Sequence, residues 1–495
     1  MRIDDDLRYF ESEHFKEILA KYETAKEEGT PFYMDADDLT DVAEYYSMVL
    51  NDDELADEAI DVALQMHPNA VDPMVFQARQ FLLSGDTEAA RRVCENIPDQ
   101  HHREVYFIRA ELMVRDGKNE QARAYLIECS DKILADLDYY YYDCAYIFID
   151  YRDNVHARFF ADELESRAPQ WFKTCELMAD LCLAEEKYEA ALTYIERMLD
   201  VDPFYVAAWN WRAEAFCGLS DYNQAFESTE YALAIERNNE RSLELKAWVL
   251  MRQENLKEAH KLYKQLQKMN PESEIHCLYD SYCLFDLKRL DESLQLIQQA
   301  ETLADGMSQE QAAIYEHHAH ILSEQSQVQE ALHYIDLAEE ANEHAVASHD
   351  RKDINQDFDY YRARILADNG DSETAIQYIE KIAQKEREPI ANVIMQGGQI
   401  FFEAGDYAMA LNLFEMLNRQ DLEEEEKARI YPYLAACQHE QGNFALCLEN
   451  IQLAIKNNSP DMQDILGYLF AKNVQPSEYY DYYYRRIYGQ WPKEP

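Results

Sequence analysis

"EKYEAALTYIERMLDVDP" (186–203), "SDYNQAFESTEYALAIERN" (220–238) and "ENLKEAHKLYKQLQKMNP" (254–271) are three versions of one pattern. Aligned, they place a small residue at Ala191, Ala225 and Ala259, 34 residues apart each time. A second small residue lies twelve earlier, at Ala179, Ala213 and Ala247, and Pro203 and Pro271 close two of the segments. Apolar residues at helical spacing within such a period predict a repeated pair of antiparallel amphipathic helices. Two helices cannot bury their apolar faces alone, so each pair must stack on the next. Where two helices cross closely only a small side chain fits, which accounts for the paired small positions. A proline after the second helix ends the unit.

The frame extends in both directions. Upstream the pivot falls at Ala56, Ala90, Ala122 and Ala157, and downstream at Ser293, Ala331, Ala375, Ala410 and Cys447. Its partner position holds Ala78, Ala110, Ala145, Ser281, Ala319, Ala363, Gly398 and Ala435, with Glu44 in the weakest, first unit. Turn glycines appear at Gly85, Gly117, Gly370, Gly405 and Gly442, and Pro68 and Pro169 close further units. Trp209, Phe216, Tyr263, Phe401 and Phe414 are expected to fill the space between helices.

The pattern resembles the tetratricopeptide-repeat (TPR) family. The resemblance covers roughly residues 37–460 in twelve units, and is best seen in "AWNWRAEAFCGLSDYNQAFESTEYALAI" (208–235) and "GGQIFFEAGDYAMALNLFEML" (397–417). It implies an all-α helical-hairpin solenoid, a right-handed superhelix. The pivot spacing widens to 38 across "ETLADGMSQEQ" (301–311) and to 44 across "EEANEHAVASHDRKDINQ" (339–356). These are candidate boundaries or hinges, the alternative being a longer second helix with unbroken stacking. The expected organisation is an amphipathic capping helix over 1–36, with Leu7, Phe10, Phe15, Ile18 and Leu19 apolar, then eight repeats over 37–305. Four more over 306–460 and capping helices over 461–495, broken at Pro476, follow.

Composition agrees. With 47% apolar residues but only 12 Gly and 13 Pro in 495, there is material to bury and little for tight turns. Net charge is −51, from 46 basic and 97 acidic side chains. Phosphate backbones require Lys and Arg, so nucleic acid and anionic membrane are poor partners, while a solvated surface or a basic protein partner suits. Ten cysteines, at 94, 129, 144, 175, 182, 217, 277, 283, 437 and 447, form no CxxC pair. They read as small hydrophobes in a reducing compartment. "MRIDDDLRYFESEHF" (1–15) is not a signal sequence and no stretch of about 18 apolar residues occurs, so a cytoplasmic protein is expected.

No nucleotide-binding loop, nucleophile elbow or HExxH is present, so no enzyme, metal or cofactor is expected. In "EHHAH" (316–320), His317 and His320 share a helix face, but two histidines are not a complete ligand set. "DLEEEEKAR" (421–429) reads as Asp421 capping a helix with an acidic first turn.

The family resemblance implies that first-helix residues line a concave partner groove. Carried over, the groove positions are Tyr139, Tyr142, Tyr146, Ile149 and Asp150 in the fourth unit and Lys173, Glu176 and Asp180 in the fifth. Asn210 and Glu214 follow in the sixth, and Arg241, Glu244, Trp248 and Arg252 in the seventh. Tyr282 and Phe285 come from the eighth unit, Tyr360 and Arg364 from the tenth. Tyr, Trp and Arg commonly dominate interface energies. The Lys/Asn/Asn/Lys/Arg set that holds a chaperone tail is missing. Glu176, Asn210 and Glu244 occupy corresponding places, so a basic or neutral peptide suits better. The reading is a protein-interaction scaffold that binds a peptide segment or protein domain. The alternative is a peptide-sensing regulator whose superhelix compacts on binding. Within "DLDYYYYDCAYIFIDY" (136–151), Tyr141 is expected between helices and Tyr139, Tyr142 and Tyr146 toward the groove.

Overall fold

The computed structural model describes residues 9–29, 32–133, 135–304, 310–347, 357–420 and 422–492, the side chains of 344–347 excepted. Every regular element among them is helical. A helix at Glu13–Glu28 comes first, and twelve consecutive helix pairs follow. Pairs one to four are Ala36–Met48 with Asp53–Met66, Val71–Leu83 with Thr87–Asn96, Arg103–Arg115 with Asn119–Ser130, and Leu137–Ile149 with Asn154–Arg167. Pairs five to eight are Phe172–Ala184 with Tyr188–Val201, Val206–Gly218 with Tyr222–Ile235, Glu240–Arg252 with Leu256–Met269, and Glu274–Asp286 with Leu290–Leu303. Pairs nine to twelve are Gln311–Glu324 with Val328–Ala347, Phe358–Asp368 with Ser372–Gln384, Ile390–Glu403 with Tyr407–Asn418, and Glu424–Glu440 with Phe444–Lys456. Met462–Leu466, the 3-10 turns Gly467–Leu469 and Pro476–Glu478, and Tyr479–Tyr488 close the chain. The residues group into two compact units, Met1–Leu245 and Lys246–Pro495.

The hairpin turn is written in the backbone. In all twelve pairs the second residue before the second helix has positive φ: Asn51, Gly85, Gly117, Arg152, Glu186, Ser220, Glu254, Lys288, Ser326, Gly370, Gly405 and Gly442. That left-handed residue lets the chain reverse while the last carbonyls of the first helix stay bonded, as in Ser220 N to Cys217 O at 3.0 Å and Asp221 N to Phe216 O at 2.9 Å. Five units use the glycines read from the sequence; the other seven place an ordinary side chain there. An aspartate then caps the second helix in six units, for example Asp86 accepting from Ala89 N at 2.9 Å and Asp406 from Met409 N at 3.0 Å.

The small crossing positions hold along the whole frame. Twenty-two of the residues named above, from Ala56 to Cys447, have no exposed surface, and Gly398 is buried as well. In pair eight the two are serines, and their polarity is absorbed reciprocally. Ser281 Oγ donates to Ser293 O at 2.9 Å and Ser293 Oγ to Ser281 O at 2.8 Å. At Gly398 the packing is tighter still: a Cβ would lie 2.6 Å from the Phe414 ring. Gly398→Ala is therefore expected to cost about 1–3 kcal/mol, read as a lower urea midpoint for the second unit. An unchanged midpoint would mean that Phe414 can step aside. Of the expected inter-helix aromatics, Tyr263, Phe401 and Phe414 are buried, whereas Trp209 and Phe216 are half-buried beneath Arg212.

Both ends are covered. Phe15 and Ile18 bury against pair one, with Phe15 packed on Tyr45 at 5.1 Å, and Phe10 is buried while Leu19 is partly so. Leu7 lies outside the described residues. At the other end Tyr479 stacks on Phe470 at 3.9 Å, and Tyr483 hydrogen-bonds His439 Nδ1 at 2.6 Å. The second helix of pair nine, Val328–Ala347, has 20 residues against 10–14 in the other second helices. The insertion at 339–356 thus goes partly into a longer helix. Asp421 lies outside the described residues; the cap position is Glu423, whose N–H donates to Glu426 Oε2 at 3.0 Å. Nine of the ten cysteines are buried and all ten are free thiols.

Candidate protein-interaction surface

Within the first unit, first helices of neighbouring pairs lie side by side. Residues 34 apart therefore become neighbours across successive pairs. Tyr142 and Glu176 hold one such place, and Tyr146, Asp180 and Glu214 hold another.

The tyrosine run divides by helical geometry. Tyr140 has no exposed surface, stacks on Phe107 at 5.3 Å and donates its hydroxyl to Leu126 O at 2.8 Å. Tyr141 packs toward Phe160 of the second helix, ring centroids 6.3 Å apart, under Arg167. Tyr139, Tyr142 and Tyr146 point the other way and are half-buried. Tyr142 and Tyr146 lie 4.8 Å apart, and Tyr139 meets the edge of Trp171 at 4.6 Å. Trp171 was not picked out from the sequence because it precedes the first helix of pair five. Its only signal was an aromatic two residues after Pro169.

Glu176 is buried and heavily used. It accepts from Tyr142 Oη at 2.7 Å, Tyr205 Oη at 2.8 Å and Lys173 Nζ at 2.9 Å, tying pairs four, five and six together. Asn210 is likewise buried, accepting from Ser242 Oγ at 2.7 Å. Glu214 pairs with Arg241, which also reaches Glu244 at 3.5 Å. Asp180 differs. Burial, then the neighbouring carboxylates of Glu176, Glu214 and Asp150, push its carboxyl above the usual range. Asp150 is raised by burial and by Glu111. Neither Asp180 nor Asp150 has an ion pair among the described residues. A half-buried aromatic patch thus borders carboxylates that make no ion pair among the described residues.

In the second unit the named residues are more dispersed. Arg252 lies over the Trp248 ring at 5.7 Å. The Tyr282 ring packs at a tilt against His317, centroids 4.0 Å apart, with Phe285 at 5.5 Å from the same imidazole. Tyr360 donates to Glu388 Oε1 at 2.6 Å and Arg364 Nη1 pairs with Glu403 at 2.6 Å. His317 Nε2 is hydrogen-bonded to Ser281 Oγ at 3.0 Å, so that nitrogen is already used, and His320 lies 5.9 Å from the Tyr361 ring. Burial pushes His317 down to about 3 and His320 down to about 4, so both are neutral near pH 7.

A tetratricopeptide-repeat family model matches residues 177–239. The chain carries TPR repeats. A second model, for subunit 3 of the anaphase-promoting complex (cyclosome), matches residues 218–300 of the TPR array. Tetratricopeptide repeat protein 16 of Mus musculus is 29% identical over 123 residues, covering 23% of this chain and 16% of the mouse one. The match thus spans about a sixth of that relative. Among solved structures, the human IFIT1 dimer with PPP-AAAA is 13% identical over 86% of this chain and 96% of that one, TM-score 0.44. The APC/C hetero-tetramer Cut9-Hcn1 is 11% identical over 88% and 96%, TM-score 0.36. PilF of Pseudomonas aeruginosa is 16% identical over 48% and 96%, TM-score 0.36. Among the described residues, no helix of the TPR array is long and apolar enough to cross a membrane.

Proposed function

We propose that this TPR array is a protein-interaction scaffold whose first unit binds a basic segment of a partner across the first helices of pairs four to six. One observation carries the reading. Asp180 and Asp150 sit beside the Tyr142–Tyr146 pair with raised carboxyl pKa values and make no ion pair among the described residues. A Lys or Arg side chain brought to that place gains from the carboxylates and from the tyrosine faces. Glu176 and Asn210 support the surface from beneath, since their polar atoms are already taken by this chain.

The test uses two labelled peptides, an alternating Lys-Leu sequence and its Glu-Leu counterpart, followed by fluorescence anisotropy on the full chain. The Lys-Leu peptide should bind at least about tenfold more tightly, the equivalent of ~1.4 kcal/mol. The advantage should fade as the screening length shrinks from ~10 Å at 0.1 M salt to ~3 Å at 1 M. Combining Asp150→Asn with Asp180→Asn, or making Tyr146→Ala, should weaken capture with helicity intact. Equal binding of both peptides, or binding indifferent to these variants, would sink the reading.

A further inference from the structure

A cavity of about 440 Å³ opens in the second unit between pairs ten and eleven. Tyr360, Tyr361 and Arg364 enter it from the first helix of pair ten. Ile382 comes from the second helix, Arg387 and Glu388 from the connection, and Gln396 and Ile400 from pair eleven. Its volume falls at the small end of the range for ligand pockets.

The polar groups of this cavity are unequally occupied. Asp357, also at its edge, receives Lys385 Nζ on both oxygens at 2.8 Å. Glu388 receives the Tyr360 hydroxyl. The two lining carboxylates are therefore both engaged. Arg364 spends Nη1 on Glu403 and keeps further N–H groups. Arg387 is exposed and makes no ion pair or hydrogen bond among the described residues, in a chain where acidic groups outnumber basic ones 97 to 46. Gln396 likewise has no hydrogen-bond partner there. Arg364, Arg387 and Gln396 thus keep donor capacity at this cavity, arranged around two isoleucines and two phenol rings.

The geometry points to a ligand site for a carboxylate carried on a short apolar or aromatic stem. The carboxylate takes Arg387, the Gln396 amide and the remaining Arg364 donors; the stem takes Ile382, Ile400 and the tyrosine faces. A planar guanidinium suits such an acceptor, which it can grip with two parallel N–H groups. The volume suits a small organic acid or a single acidic side chain rather than a folded segment. The site is opposite in charge preference to the surface on the first unit and stands independently of the partner reading.

Calorimetric titration of the full chain tests it with three probes: 3-phenylpropionate, 3-phenylpropionamide, and the end-blocked peptide Ac-Ala-Ala-Glu-Ala-Ala-NH2. Saturable binding of the acid or of the peptide, with the amide at least about tenfold weaker than the acid, supports the site. Binding of the acid alone identifies a free organic acid as the source, and binding of the peptide alone an acidic side chain. Arg387→Gln should weaken whichever probe binds by about tenfold. It should leave the melting temperature unchanged, because Arg387 is exposed and makes no ion pair or hydrogen bond among the described residues. No binding by either carboxylate probe, an amide that binds as tightly as a binding acid, or full affinity in Arg387→Gln each overturns the proposal.

Discussion

Tyr140→Ala is expected to destabilise the first unit by about 3–5 kcal/mol, the range for deleting a fully buried aromatic ring. Its ring has no exposed surface and stacks on Phe107, and its hydroxyl satisfies Leu126 O at 2.8 Å. Truncation leaves a cavity between pairs three and four and an unpaired carbonyl. Tyr146→Ala, six residues further on, should cost less, about 1–2 kcal/mol, since its ring is only partly buried and makes no hydrogen bond to a buried carbonyl. Urea unfolding of the two variants, followed by circular dichroism, reads the contrast. Equal losses would show that the tyrosine run is one structural block and that the outward three are not a surface. Tyr140→Phe should recover most of the stability, leaving a deficit of roughly 0.5–1.5 kcal/mol for the lost hydrogen bond.

The second large effect is on pH dependence. His317 is buried against Ser281, Tyr282 and Phe285 of pair eight, with His318 and His320 beside it on its own helix. Burial, then His320, holds it down at about 3 in the folded chain, below the ~6.5 of a free histidine. As pH falls it is the unfolded chain that takes the proton. The stabilising contribution is complete above about pH 6.5 and is lost between there and pH 3. From pH 7 to pH 5 the loss is about 2 kcal/mol. His317→Gln keeps a hydrogen-bonding group near Ser281 and removes the titration. Its second unit should lose about 2 kcal/mol less than the parent over the same interval, measured by urea unfolding at both pH values. Buried carboxyls with raised pKa, such as Asp280, act in the opposite sense but are common to both chains, so the difference isolates the imidazole. Parallel pH profiles would mean that His317 is hydrated.

The repeat was legible because one steric requirement recurs. A close helix crossing admits only a small side chain, so Ala191, Ala225 and Ala259 mark it at fixed spacing, and the frame led to all twelve pairs. The hairpin turns were half legible. Glycine announces a left-handed residue, but Arg152, Glu186 and Lys288 adopt the same φ with nothing in their type to signal it. The turn there is imposed by the packing of the two helices it joins.

The surface shows the same division. Helical periodicity separated Tyr141 from Tyr139, Tyr142 and Tyr146 without coordinates. It could not tell a carboxylate that is spent from one that is available, because that depends on neighbours 29–34 residues away. Glu176 and Asp180 sit on one helix with equal formal charge, yet Glu176 is consumed by Tyr142 and Tyr205 while Asp180 lies among other carboxylates with no ion pair among the described residues. The cavity beside Arg387 had no sequence signature either, since pairs ten and eleven build it jointly. The sequence by itself thus determined the periodic part of this protein, its helices, crossings and repeat count, because local sterics repeat with the chain. Which polar groups remain free to meet a partner or ligand was decided only by the tertiary structure, because hydrogen-bond satisfaction and desolvation are properties of a neighbourhood and not of a residue.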